Sequence, residues 1–348
     1  MRFGAFDQID ASGRPAFEQY RERLRLAQLY EDCGFERYHL SEHHGAPLSV
    51  APSPNILLAV LARSTSTLRF GSLVNLLPGN SPLRLIEELA MLDNLSGGRV
   101  EFGIASADTA PDIAYLGVSP EDAKPMHDEV VDNILAALAT GVLDHAGAYW
   151  SYDRVELSVR PLQPTIPLWT LADSEAAARR AARHGANLVV RGPAAKARAI
   201  FESYQHACAK GPARWTGADP LLGIGRYIVV GDTDTGAQSL AERCWAVLRD
   251  NVDRSWPRHG GEPGDRRLSD LAQLQADGRA IVGSATTVRE ILERQFAVSG
   301  ATFLSGTFMF GDMGYGEASR SVRRFAHDVM PLLDAVEEDT PPQLQAVG

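Results

Sequence analysis

The chain has 348 residues, 45% of them hydrophobic and 22% charged, so it can bury a large core without a disulfide or metal staple. These proportions exclude a disordered, collagen-like or coiled-coil protein. The net charge of −10 argues against nucleic acid and against anionic membrane surfaces as partners. The three cysteines, Cys33, Cys208 and Cys244, lie far apart with no CxxC pair, which fits neither a disulfide framework nor a zinc module. No apolar leader follows the N-terminal charge and no window approaches a membrane span, so a soluble protein of the cytoplasm is expected.

In chain order, β-like runs fall at residues 2–6, 37–40, 68–76, 100–105, 167–172, 187–191, 222–230 and 302–310. Helical windows alternate with them at 15–33, 54–64, 82–95, 121–139, 174–184, 194–209, 235–252, 286–299 and 316–329. Ser53-Pro54, Ser81-Pro82 and Ser119-Pro120-Glu121 carry helix-start chemistry, and Gly34 and Gly185 carry helix-stop chemistry. Eight β/α alternations predict a parallel sheet, and eight is the number that closes a barrel. An open doubly wound sheet would usually show a glycine-rich turn after its first strand; here that strand runs into Asp7-Gln8-Ile9-Asp10. The expected fold is α/β, a (β/α)8 TIM barrel: one domain over residues 1–335 and a flexible tail over 336–348.

Two stretches break the alternation. Residues 141–164 read as a hairpin inserted after the fourth unit, with strands at 145–150 and 154–159. Residues 254–278, rich in glycine, proline and arginine, read as a long insertion before the eighth unit, placed to act as a lid over the C-terminal face.

Three clusters carry chemistry. Ser41-Glu42-His43-His44 directly follows the second strand, at the barrel end where reactive side chains collect. Histidine exchanges a proton near neutral pH. Adjacent side chains on an extended segment point to opposite sides and chelate one ion poorly, and no HExxH helix is present, so no metal is expected. Asp173-Ser174 opens a helix after the fifth strand, which suits either an anion site or a plain N-cap. Arg191 ends the sixth strand at the upper rim, as an anion ligand or a surface ion pair. A third motif, Leu77-Pro78-Gly79-Asn80-Ser81-Pro82 and its continuation over residues 92–99, reads as strand, turn, capped helix and turn, with a stability role for its final piece.

In order and spacing, residues 34–44 (GFERYHLSEHH), 68–103, 166–189 and the closing Val329-Met330-Pro331 resemble the bacterial luciferase-like flavin monooxygenases. The resemblance implies a (β/α)8 barrel using FMN, commonly as diffusible reduced flavin made by a partner NAD(P)H:flavin reductase. It also implies reaction with O2, through a flavin C4a-(hydro)peroxide, to oxygenate a small organic substrate. Assembly as a homodimer is expected. The family's active-site histidine falls on His43, which would stabilise or protonate the (hydro)peroxide, with His44 secondary. The flavin shelf, a non-prolyl cis peptide, falls near Leu73 and Val74, and the phosphate-facing pair falls on Asp173 and Ser174. Luciferase has a cysteine-arginine pair where this chain has Ala105 and Ser106, and a hydroxyl cannot replace a guanidinium that holds phosphate. Arg191 or backbone N–H groups would compensate for Ser106. Rim residues Phe6, Arg226, Tyr227, Ser305, Phe308 and Phe310 predict a partly aromatic pocket for substrate or flavin ring. Two alternatives stay open: an F420-dependent dehydrogenase, and a flavin-binding barrel without catalysis.

Overall fold

The computed structural model describes residues 1–105, 113–210, 219–255 and 270–333. Its strands are β1 (Arg2–Asp7), β2 (Arg37–Leu40), β3 (Arg69–Leu76), β4 (Val100–Ala105), β5 (Val142–Ala146), β6 (Ser151–Glu156), β7 (Leu168–Leu171), β8 (Asn187–Val190), β9 (Leu222–Gly231), β10 (Ala280–Ser284) and β11 (Phe303–Thr307). The α-helices are α1 (Ala16–Asp32), α2 (Pro54–Ser64), α3 (Pro82–Ser96), α4 (Pro120–Thr140), α5 (Glu175–Arg183), α6 (Ala194–Lys210), α7 (Asp234–Ser255), α8 (Leu271–Ala276), α9 (Ala285–Ser299) and α10 (Tyr315–Arg324). The parallel order β1-β2-β3-β4-β7-β8-β9-β11 returns to β1 and closes an eight-stranded TIM barrel.

The helices form where apolar spacing and end signals coincide. In α3, Pro82 occupies the first turn, Leu85, Ile86, Leu89 and Leu92 make one buried stripe, and Gly97 stops the helix at φ 69°. Each such aliphatic side chain contributes about 1.5–3 kcal/mol of burial. Among the described residues, no helix is long and apolar enough to cross a membrane.

Two expectations about the insertions change. The hairpin lies at β5 and β6, earlier than the periodicity suggested. Gly141, at φ 78°, lets the chain leave α4 directly into Val142, and the Glu129 carboxylate then gathers the N–H groups of Ala148, Tyr149 and Trp150 into the turn. The stretch 254–278 is partly regular: Arg254 and Ser255 continue α7, and α8 occupies Leu271–Ala276. Residues 256–269, the centre of the expected lid, lie outside the described residues, as does the expected tail over 336–348.

A ninth parallel strand, β10, was not foreseen. β9 is ten residues long; its first half pairs β8 and β11, and its second half, Tyr227–Gly231, runs on past the barrel to pair β10.

Below the mouth the barrel is plugged by large side chains that glycines admit. A Cβ on Gly4 or Gly223 would come 2.6 Å from the Phe303 ring. Phe303 packs on Trp169 at 5.1 Å, and Trp169 on His39 at 4.7 Å. Beside them the buried Glu101 carboxylate accepts from Arg37 Nε (3.1 Å), Arg69 Nε (2.9 Å) and His39 Nε2 (2.9 Å). Burial alone would raise its pKa, but the His39 hydrogen bond and the two guanidinia outweigh that and pull it to about 2. A carboxyl lowered on folding lends stability above its unfolded pKa of 4.5 and loses it as pH falls towards 2, here about 3 kcal/mol. Melting temperatures from pH 6 to pH 2 should fall less steeply in Glu101→Gln than in the parent. Parallel slopes would show that this cluster does not govern acid sensitivity.

Candidate functional site

The C-terminal strand ends open on a cavity of about 1050 Å³. Small-molecule sites usually hold about 300–1,000 Å³, so there is room for a large cofactor beside a second molecule. His43, Leu73, Val74, Asp173 and Arg191 all line it; His44 and Ser174 do not, and Ser106 lies outside the described residues.

The wall from β2 is fixed by Glu42, which the sequence placed in the cluster without a role of its own. The Ser41 N–H continues the β1 ladder onto the Asp7 carbonyl. Next along the chain, the buried Glu42 carboxylate accepts the Leu76 N–H (2.8 Å), the Asn80 amide (3.3 Å) and His44 Nε2 (2.9 Å). Glu42 thus ties the loop to the end of β3. His44 is spent on that tie, while His43 faces the cavity, as the alternation of extended side chains requires.

The floor comes from β3. The Leu73–Val74 peptide bond is cis, and the pairing of β3 with β4 shifts register between Ser72 and Asn75. The Ser72 hydroxyl donates to the Leu40 and Val74 carbonyls, and the Asn75 amide donates to the Gly103 carbonyl at 2.8 Å. The two backbones approach so closely that a Cβ on Gly103 would lie 2.2 Å from the Ser72 oxygen. Gly103→Ala must therefore push β3 and β4 apart at the cavity floor. An overpacking cost of about 1–3 kcal/mol is expected, read as a lower urea midpoint. An unchanged midpoint would contradict this packing.

At the end of β7, Ser174 is the N-cap of α5: its Oγ accepts the Ala177 N–H at 3.3 Å. The side of α5 that lines the cavity carries Ala177, Arg180, Ala181 and Arg183, followed by His184. Facing it across a groove, α4 presents Lys124, His127, Asp128 and Asp132. Asp128 pairs with Lys124 and His127, and Asp132 with His184 at 3.5 Å. Burial lowers the His127 pKa against the pull of Asp128, and Lys124 and Arg180 lower it further.

On the remaining side, Arg191 leaves β8 across Gly225 and sets its guanidinium 4.3 Å from the Phe6 ring centroid. Arg279, just before β10, donates from Nε to the Arg191 carbonyl at 2.9 Å. Lys196 on α6 folds over Gly192. Arg180, Lys196 and Arg279 were missed in the sequence. Arg180 belongs to a helix face that only the groove opposite α4 makes visible, and Arg279 depends on the placement of β10.

Of the six rim residues, only Phe6 lines the cavity. Tyr227 and Phe310 pack against Trp245 of α7, and Phe308 against Tyr30 and Phe35. Arg226 is buried against Gln295 of α9 (2.6 Å), and Ser305 is buried without reaching the cavity. Phe308 and Phe310 follow β11 at the parity opposite to the inward Phe303, and Tyr227 lies where β9 runs past the barrel to pair β10.

The luciferase-like monooxygenase family model matches residues 1–302. Protein y4wF of Sinorhizobium fredii is 35% identical over 315 residues, covering 90% of this chain and 92% of its own. The oxygenase component of a flavin-dependent trigonelline monooxygenase from Acinetobacter baylyi is 30% identical, over 55% of this chain and 54% of its own. Among solved structures, the oxygenating constituent of 3,6-diketocamphane monooxygenase from Pseudomonas putida, in complex with FMN, superposes with TM-score 0.79 at 20% identity, covering 95% of this chain and 98% of its own. The coenzyme F420-dependent tetrahydromethanopterin reductase of Methanopyrus kandleri superposes with TM-score 0.69 at 18% identity, covering 95% and 99%. These two structural likenesses are likenesses of fold.

Proposed function

The chain belongs to the luciferase-like monooxygenase family, and on that premise we propose that it is the oxygenase component of a two-component flavin system. In the overall reaction an organic substrate, O2 and reduced FMN give oxygenated substrate, water and oxidised FMN. A separate NAD(P)H:flavin reductase returns the flavin to its reduced form. The observation that carries this reading is the single cavity where His43, the cis Leu73–Val74 floor and the cations Arg180, Arg191, Lys196 and Arg279 meet. Among the described residues those four cations have no carboxylate within ion-pair reach, in a chain of net charge −10, so the cavity suits anionic ligands.

Bound reduced FMN would supply the two electrons that split O2. The chain's own residues bind, orient and move protons. Leu73 and Val74 would support the flavin ring, and Phe6 and Leu76 present apolar surface that keeps water off it. His43 is placed to hold or deliver a proton over that floor. The backbone N–H groups at the α5 N-terminus, with Arg180, would receive the phosphate. Arg180 takes this role in place of Arg191, whose guanidinium lies across the mouth on Phe6. A cytoplasmic setting fits the three free cysteines, and a homodimer fits the exposed Ile56, Val60, Met91 and Leu95 on the neighbouring α2 and α3.

The test gives purified protein reduced FMN in oxygenated buffer with candidate substrates and follows flavin absorbance and product mass. Incorporation of one oxygen atom from 18O2 is the expected result. Flavin that binds and oxidises without product would favour a non-catalytic barrel. Reduction of F420 by a substrate, with no flavin binding, would favour the dehydrogenase.

A further inference from the structure

We propose that Arg191, Arg279 and Lys196 form an anion pocket for the substrate, so that the molecule oxygenated is a small organic acid bound through its carboxylate. The inference rests on the flavin reading above and adds the substrate class.

The pocket is built rather than incidental. Arg279 is held in register at the start of β10, where its carbonyl accepts the Tyr227 N–H of β9 (3.0 Å) and its Nε donates to the Arg191 carbonyl (2.9 Å). Among the described residues its two terminal nitrogens make no hydrogen bond, so they are open to a ligand. Arg191 crosses β9 closely over Gly225, where a Cβ would come 3.1 Å from Arg191 Cγ and 3.3 Å from Val189 Cγ1 and crowd both. Behind them the buried Arg226 bonds Gln295 and the Gly225 carbonyl, adding a third guanidinium with no carboxylate partner among the described residues. Lys196, at the start of α6, completes the rim beside Gly192. Like charges so gathered repel one another, and an anion between them removes that penalty.

Position separates this pocket from the cofactor phosphate. The phosphate end lies between α5 and α4, with Arg180. The Arg191 guanidinium instead overlies Phe6 of β1, at the mouth that His43 and Leu73–Val74 also line. A planar carboxylate matches the paired N–H geometry of arginine, and an acid so anchored presents its carbon skeleton to the reacting centre.

The experiment titrates the protein calorimetrically, with FMN at saturating concentration, using benzoate, its neutral analogue benzamide, and sulfate. Benzoate and sulfate should bind and compete, and benzamide should bind at least about tenfold more weakly. Arg191→Gln and Arg279→Gln should each weaken benzoate at least about tenfold while leaving FMN affinity within about twofold. Arg191→Lys, which keeps the stem over Gly225 and the charge, should recover sulfate better than benzoate. The proposal falls if neither anion binds, if the glutamine variants keep both anions, or if they lose FMN in step with benzoate. Arginine-dependent benzoate binding in a protein that takes up no flavin would sink the flavin reading and leave the anion pocket standing.

Discussion

His43→Ala should lower the rate of product formation about 100-fold or more, the usual range for a lost proton-transfer group, and should raise hydrogen peroxide release per flavin oxidised. The imidazole lines the cavity over the cis Leu73–Val74 floor, and the Glu42 clamp to Leu76 fixes its loop, so the alanine variant removes chemistry without freeing the backbone. Oxygen that is reduced but not transferred leaves as peroxide, so coupling is the sensitive readout. FMN affinity should change little, because the phosphate end of the cavity is untouched. His44→Ala gives the contrast: it removes one of three partners of Glu42 and should loosen the loop, with a smaller loss of rate. Equal coupling in parent and His43→Ala would remove the residue from the chemistry. A larger effect from His44 would reverse the assignment of the two rings.

The barrel was legible because its signals are local and repeated: a buried β-run, a capped helix and a glycine stop recur with the same order and spacing. The split between His43 and His44 was legible too, from the alternation of side chains on extended backbone. What failed depended on contacts distant in sequence. The run Ala280-Ile281-Val282 is as apolar as β8, but its strand character comes from pairing with the far half of β9, and a count of eight had already closed the barrel. The hairpin register slipped because a single carboxylate, Glu129, organises the turn from a neighbouring helix. The rim aromatics were misplaced for a related reason. Tyr227, Phe308 and Phe310 lie near strand ends closely enough to suggest the mouth, yet Trp245 of α7, Tyr30 of α1 and Phe35 just before β2 take them as partners. Arginine 191 was found because it ends a strand; Arg180 was not, because a helix face becomes visible only when the groove opposite it is known.

Arg180→Ala should weaken FMN binding about 10- to 150-fold and leave riboflavin binding nearly unchanged, since a charge-assisted contact to phosphate is worth about 1.5–3 kcal/mol. The side chain at position 180 springs from the second turn of α5 on its cavity face, and helical side chains lean towards the N-terminus, so it is expected to set positive charge beside the first turn of α5. It is near enough to His127 to lower that imidazole's pKa, which places positive charge at this end of the groove. The α5 dipole adds to the attraction but supplies only about 0.3–1 kcal/mol, so it cannot stand in for the lost guanidinium. Ser174→Ala should act differently. Its hydroxyl already accepts the Ala177 N–H, so its loss should cost about 1 kcal/mol of stability through the cap, with a smaller change in FMN affinity. Measuring FMN and riboflavin affinities side by side separates the two effects, because only the phosphate arm responds to charge at position 180. A parent protein that binds both flavins equally would mean that no phosphate site exists between α5 and α4. Loss of FMN affinity on replacing Arg191, with Arg180→Ala silent, would move the phosphate across the mouth to β8.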